Sequence, residues 1–213
     1  MRGMKNSAGK PVLQKMIALI QQNKDYISEV DGLIADGDHG VNMNKGFTIF
    51  GEQIKDKDIS FTGGLKELGD VLFTRIGGSM GPIYGTVFSG MAEIGEKHEV
   101  IDAAVLSAML DHGVKELRDV VPGEVGDKTL VDTLIPASEA LQKAVKEGQD
   151  LASALKAMKD AAEAGRDATK DMAAKFGRSS RLGERSRGVV DAGAVSCCFL
   201  LQAIADGILE QAG

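Results

Sequence analysis

Ile101-Asp-Ala-Ala-Val-Leu106-Ser-Ala-Met109-Leu110-Asp-His-Gly-Val114-Lys-Glu-Leu117-Arg-Asp119 spaces its large apolar residues by threes and fours. That spacing gathers Leu106, Met109, Leu110, Val114 and Leu117 on one face of a helix. The period recurs at Val12, Met16, Ile17 and Ile20, and again at Leu151, Leu155 and Met158. It predicts eight helical segments, at 10–28, 40–55, 61–75, 83–97, 101–119, 129–147, 150–175 and 191–211. No alternating run has the length of a convincing strand. Pro11, Pro82 and Pro122 fall near segment starts or breaks, whereas Pro136 lies inside the sixth and predicts a kink or a late start. With no repeat, low-complexity tract or linker, the expectation is one domain over 1–213. Its class is all-α, an antiparallel barrel or bundle of eight helices.

Composition agrees. Of 213 residues, 43% are hydrophobic but only 4% aromatic, with no Trp, so the core is expected from Ala, Leu, Ile, Val and Met. The 31 acidic residues against 25 basic ones give a net charge of -6, which argues against nucleic acid and anionic membrane as partners. A phosphorylated ligand would therefore need positive charge recruited from elsewhere. The most apolar stretch, 192–205, contains Ser196 and Gln202 and falls short of the roughly 20 residues a bilayer span needs. No signal-peptide pattern opens the chain. Cys197 and Cys198 are neighbours in that apolar stretch, which suits small core residues in a reducing compartment. A cytoplasmic location, without a membrane, follows as an expectation.

Four polar or glycine-rich connections interrupt the helices, at 29–39, 76–82, 120–128 and 176–190. The first holds Asp31, Asp36 and Asp38 within eight residues, with Gly37 and Gly40 to let the chain fold tightly. Converging carboxylates repel unless a cation lies between them, and oxygen donors without cysteine favour Mg²⁺, Mn²⁺ or Ca²⁺ over Zn²⁺. An EF-hand fails, because twelve-residue loops from Asp31 or Asp36 end at Asn42 or Phe47 rather than Glu. The same residues also suit a capped turn, with Asp38 as N-cap of the next helix. His39 and Asn42 share a face of that helix's first turn, where an anion can be held.

The second connection, Gly77-Gly-Ser79-Met80-Gly-Pro82, can offer backbone N–H groups to an anion, or serve simply as a tight turn. It is not a dinucleotide fingerprint, since no strand precedes it. Gly126-Asp127-Lys128-Thr129 resembles a Walker A loop only superficially, and Asp127 suits an N-cap. The fourth connection packs Arg178, Arg181, Arg185 and Arg187 into ten residues of an acidic protein. Such a segment suits a lid over an anionic ligand, a dock for an acidic partner, or a solvated loop. Asp191 is the expected N-cap of the last helix in every case.

In order along the chain stand Asp-Gly-Asp-His-Gly-Val-Asn-Met-Asn-Lys-Gly-Phe (36–47), Gly-Gly-Ser-Met-Gly-Pro-Ile-Tyr-Gly-Thr (77–86), Gly-Asp-Lys-Thr-Leu-Val-Asp (126–132) and Gly-Arg-Ser-Ser-Arg-Leu-Gly-Glu-Arg-Ser (177–186). Together they resemble the nucleotide-binding subunit of dihydroxyacetone kinases, over about residues 10–211. The resemblance implies a barrel of eight antiparallel helices with the nucleotide in the loops at one end. It implies two Mg²⁺ on Asp31, Asp36 and Asp38. It further implies ADP or ATP contacts from His39, Gly40, Val41, Asn42, Ser79, Met80, Gly123, Leu130, Arg178, Asp191, Ala192 and Gly193. This chain departs from the family in having Asp191-Ala192-Gly193 where Asp-Pro-Gly is common, and Arg181 where an aromatic is common. The stretch before Gly126 is also altered in length.

The implied activity is that of a phosphotransferase incomplete without partners. Magnesium-bound ADP takes a phosphoryl group from a phosphohistidine carrier protein and passes it to dihydroxyacetone on a separate substrate-binding subunit. The short chain favours this over an ATP-dependent dihydroxyacetone or erythrulose kinase and over the nucleotide domain of a fatty-acid kinase, which normally belongs to a longer chain, while a non-catalytic nucleotide-binding regulatory module stays an alternative that reconstitution would separate. The oligomeric state is open, a homodimer being one of the assemblies allowed.

Overall fold

Side-chain caps punctuate the chain at helix starts. Ser60 Oγ accepts from the Gly63 amide, and the carboxylates of Asp102, Asp150 and Asp191 accept from the amides of Val105, Ser153 and Ala194. In the computed structural model, which describes residues 3–213, these and less regular starts delimit eight α-helices. They are α1 (Lys10–Ile34), α2 (His39–Ile54), α3 (Phe61–Arg75), α4 (Met80–Gly95), α5 (Ala103–Val120), α6 (Val131–Lys146), α7 (Leu151–Ala168) and α8 (Ala192–Gln211). Short 3-10 segments cover Asn6–Ala8, Thr169–Asp171 and Ser179–Ser186. One strand pair adds to the expected all-α class: β1 (Met4–Lys5) runs antiparallel to β2 (Val100–Ile101), with Met4 opposite Ile101.

Each helix packs on the next, and α8 closes the ring on α1. Neighbours joined in this way run antiparallel. The α1–α2, α3–α4, α5–α6 and α7–α8 connections therefore gather at one end of the barrel. Those four are the polar and glycine-rich connections singled out in the sequence.

Inside the ring the apolar stripes meet. Leu13, Met16, Ile20, Ile27 and Met43 are fully buried. The aromatics are few but central: Phe47, Phe50 and Phe61 are among the largest fully buried side chains. Helix α8 lies close to the expected 191–211, but its 20 residues, judged by length and composition, are long and apolar enough to cross a bilayer, contrary to the expectation from the apolar stretch 192–205. Thirteen of its residues are buried, against α1, α6 and α7 among others, and both cysteines lie there as free, buried thiols.

Several boundaries differ from those expected. Helix α1 continues to Ile34 because Ile27, Val30 and Ile34 extend its buried stripe, so Asp31 lies on its last turn rather than in a loop. Helix α4 begins at Met80, with Pro82 inside its first turn. Helix α7 stops at Ala168, where Thr169 Oγ1 donates back to the Arg166 carbonyl at 2.6 Å. Pro136 sits within α6 and cannot donate to the Asp132 carbonyl. Helix α7 passes close to that oxygen: a Cβ on Gly165 would lie 2.0 Å from it.

Candidate functional site

A cleft of about 480 Å³ opens at the end of the barrel where the four connections meet. Asp31 reaches it from the last turn of α1, and Asp36 and Asp38 reach it from the turn that follows. Gly37 makes that turn with φ +76, a left-handed conformation glycine adopts without Cβ strain. One carboxylate oxygen from each aspartate lies within 4.8 Å of the others. Oxygens bound to one hard cation at about 2.4 Å can be no farther apart than about twice that distance, so the trio fits a shared divalent ion. The Arg178 guanidinium, from the α7–α8 connection, is ion-paired with Asp36.

The capped-turn reading of these residues does not describe the structure. Asp38 precedes α2 with φ -91 and ψ -11, and its side chain accepts no capping hydrogen bond. Asp31 Oδ2 instead accepts from the His39 amide, at 3.4 Å. The Asp38 carboxylate is exposed, as is that of Asp36 apart from its pair with Arg178.

His39 and Asn42, three residues apart, both line the cleft, as their shared face predicts. Gly40 and Val41 do not. Gly40 is where α2 crosses α1, and a Cβ there would come within 2.1 Å of the Lys24 carbonyl. Val41 is 54% exposed outside the cleft. Burial lowers the His39 imidazole pKa to about 4, so the ring is neutral at physiological pH. Its Nε2 lies 2.8 Å from Ser196 Oγ, which in turn lies 2.7 Å from Tyr84 Oη.

From the α3–α4 connection come Gly77, Gly78, Ser79 and Met80, with Gly78 at φ +77. The adjoining first turn of α4 packs tightly: a Cβ on Gly81 would lie 2.4 Å from the Leu72 carbonyl. From α5–α6 come Lys128, Thr129 and Leu130. Asp127 does not cap α6. It accepts from the Glu124 amide and pairs with Lys175, which holds its carboxyl below the usual carboxylate range. Asp132 reaches back instead, accepting from the amides of Gly126 and Thr129 at 2.6 and 2.7 Å. Gly123 lies outside the cleft, in a groove with Arg118, Val125 and Glu139, because this loop folds back on Asp127 and Asp132.

Phe176, Gly177, Arg178 and Ser179 line the cleft from the α7–α8 side, with Asp191 and Gly193 beneath them. Ala192 is buried and does not line it. Among the four arginines only Arg178 lines the cleft; Arg187 pairs with Glu184 and donates to the Asp171 carbonyl. Burial pushes the Asp191 carboxyl up to about 6, opposed by its hydrogen bond from Ala194 and by the charge of Lys128.

Sequence reasoning gave no role to Lys128 or Tyr84. Lys128 has φ +60, the only positive φ among the described non-glycine residues, and is 1% exposed. Its Nζ donates to the carbonyls of Thr169, at 2.5 Å, and of Val189. One side chain thus ties together the two ends of the arginine-bearing connection. A lysine between Asp127 and Thr129 at a glycine turn was visible but matched no phosphate-loop spacing.

Comparison with known proteins shows the family to which the chain belongs. Residues 33–206 match the DAK2 domain family. The chain is 35% identical over 190 residues to "PEP-dependent dihydroxyacetone kinase, ADP-binding subunit DhaL" of Escherichia coli, covering 88% of this chain and 90% of that one. It is 36% identical over 203 residues to "PEP-dependent dihydroxyacetone kinase 2, ADP-binding subunit DhaL" of Listeria innocua, covering 92% of each. The crystal structure of the dihydroxyacetone kinase from C. freundii in complex with AMP-PNP and Mg²⁺ superposes with a TM-score of 0.69 at 20% identity. That superposition spans 97% of this chain and 35% of that one, and shows a common fold.

Proposed function

Because the chain belongs to the DAK2 domain family, we propose that it is the ADP-binding subunit of a phosphoenolpyruvate-dependent dihydroxyacetone kinase. The observation that carries this reading is the convergence of Asp31, Asp36 and Asp38 in a cleft built from four interhelical connections. A protein of charge -6 holds a polyanion by placing divalent cations between its carboxylates and the phosphates.

Two Mg²⁺ on the three aspartates are the finer reading. Such ions supply charge neutralisation and alignment to phosphoryl transfer, which needs little else from a protein. The chain's own residues do the holding. The first turns of α2 and α4 border the cleft, where helix N-termini favour phosphate. Asn42 and Ser79 bring polar side chains to the same region, while Met80, Ile83 and Leu130 form an apolar wall suited to a base. Arg178 stands at the rim, already engaged with Asp36, to follow negative charge as it arrives.

No side chain of this chain is needed as the nucleophile. A nucleotide held by Asp31, Asp36 and Asp38 through metal ions, with Arg178 beside it, would supply the phosphate oxygen that relays a phosphoryl group between a phosphohistidine of a carrier protein and a hydroxyl of dihydroxyacetone. The acceptor sits on a separate substrate-binding subunit. The reading places the protein in the cytoplasm, in line with its two free buried cysteines.

Mass spectrometry of the nucleotide that copurifies, followed by dialysis, tests this. Retained ADP supports a resident coenzyme, and rapid loss supports an ATP-exchanging kinase. Failure to reconstitute phosphoryl transfer with any substrate-binding subunit, despite Mg²⁺–ADP binding, would favour a regulatory module.

A further inference from the structure

Three helices send one polar side chain each to a point beneath the first turn of α2. Ser196 of α8 is fully buried, and its Oγ lies 2.7 Å from Tyr84 Oη of α4 and 2.8 Å from His39 Nε2. The Gly193 carbonyl is also near, at 3.1 Å from Ser196 Oγ and 3.2 Å from Tyr84 Oη. His39 lines the cleft, and its other ring nitrogen, Nδ1, has no hydrogen-bond partner among the described residues. Nδ1 is therefore the ring nitrogen left for a ligand in the cleft.

Two proton arrangements are open to a neutral imidazole here. In one, Tyr84 donates to Ser196, Ser196 donates to His39 Nε2, and Nδ1 keeps the ring proton. In the other, His39 Nε2 donates to Ser196, Ser196 turns to the Gly193 carbonyl, and Nδ1 presents a lone pair. The distances favour the first. The 2.7 and 2.8 Å contacts occur in both arrangements, so the serine proton decides: its 3.1 Å separation from the Gly193 carbonyl is long for a hydroxyl hydrogen bond, commonest near 2.7–2.8 Å, whereas His39 Nε2 lies at 2.8 Å. The Gly193 carbonyl also accepts the amide four residues on in the helical pattern of α8, so it does not need the serine proton. The first arrangement has a consequence for binding: its Nδ1–H would hydrogen-bond to a phosphate that a lone pair would repel.

We propose that Tyr84 and Ser196 are positioning residues that fix His39 as its Nδ1–H tautomer, so that the nitrogen facing the cleft is a donor to the bound anion. The chain of donation runs from a buried phenol through a buried hydroxyl to the ring, and each group gives its one proton in the same direction. The identity of the anion as a nucleotide phosphate rests on the reading above; the tautomer does not.

Long-range ¹H–¹⁵N correlation spectra of the whole protein at pH 8, without nucleotide, read the tautomer directly. The chain has only three histidines, His39, His98 and His112, and His39→Gln assigns the signal. The expected result is a protonated Nδ1 and an unprotonated Nε2 in the wild type. In Tyr84→Phe the serine loses its donor, so the ring shifts towards Nε2–H and the Kd for Mg²⁺–ADP rises about tenfold. Ser196→Ala, which removes the relay itself, provides a second variant and should likewise abolish the preference for Nδ1–H. An Nε2–H tautomer in the wild type overturns the proposal, as does an Nδ1–H tautomer that both variants leave unchanged. If the wild type fails to bind Mg²⁺–ADP, the functional reading falls while the tautomer result stands.

Discussion

Arg178 of the α7–α8 connection is ion-paired with Asp36 of the α1–α2 connection, so a guanidinium stands where the three carboxylates would meet a metal ion. The pair bridges the two walls of the cleft. It makes the cation site and the arginine-bearing segment parts of one electrostatic unit.

That relationship predicts opposite effects from one substitution. Arg178→Ala removes a cation competing for Asp36, so Mn²⁺ alone should bind several-fold more tightly, as read by its paramagnetic resonance. ADP, which Arg178 is placed to meet, should dissociate faster from the same variant. A parallel weakening of metal and nucleotide would show that Arg178 does not compete for the trio.

Asp38 and Asp102 should respond differently to alanine although each immediately precedes a helix. The Asp102 side chain accepts from the Val105 amide at 2.8 Å, and its loss should cost about 1 kcal/mol of stability. The Asp38 side chain makes no capping bond, so Asp38→Ala should leave the melting temperature nearly unchanged while abolishing metal-dependent nucleotide binding. Thermal melts of the two variants, paired with titrations, check both halves.

Lys128 holds the carbonyls of Thr169 and Val189 together. Lys128→Met leaves the Val189 carbonyl without its lysine donor and the Thr169 carbonyl with only the Met172 amide at 3.2 Å, at a cost of about 1–3 kcal/mol. The release should be local to the segment between them. Trypsin should therefore cut at Arg178, Arg181, Arg185 or Arg187 sooner than in the wild type, while the helical circular dichroism persists.

Asp191 should leave a mark on the pH dependence of stability. Its carboxyl is raised from 3.8 to about 6 in the folded chain, chiefly by burial. The native state therefore holds its proton more tightly than the unfolded state does. Its contribution is fully present below the unfolded value near 4 and is lost as the pH rises through about 6. Asp191→Asn retains a capping oxygen but does not titrate, so its stability curve should lack that decline between pH 4 and 6. Chemical denaturation of the pair across that range measures it.

Much of this architecture was legible in the sequence. The apolar period located all eight α-helices, and the four polar connections proved to be the ones that share an end of the barrel. Eleven of the singled-out residues line one cleft: Asp31, Asp36, Asp38, His39, Asn42, Ser79, Met80, Leu130, Arg178, Asp191 and Gly193. What eluded the sequence depended on packing across the ring. Gly40 meets α1 rather than the cleft, because helix–helix approach is invisible in a local pattern. Gly123 faces another groove because Asp127 and Asp132 fold its loop back through bonds that spacing does not encode. Lys128 and Tyr84 acquire their roles from partners 41 and 112 residues away.

ADP titrated into the wild type and into the variant with Asp31, Asp36 and Asp38 all changed to Asn, each in Mg²⁺ and in excess chelator, bears most directly on how this cleft holds its ligand. Tight binding confined to the wild type in Mg²⁺, with at least a hundredfold loss in the other three conditions, is the expected result. Equal affinity in chelator, or in the triple variant, would mean that the aspartates do not hold the nucleotide through a metal ion.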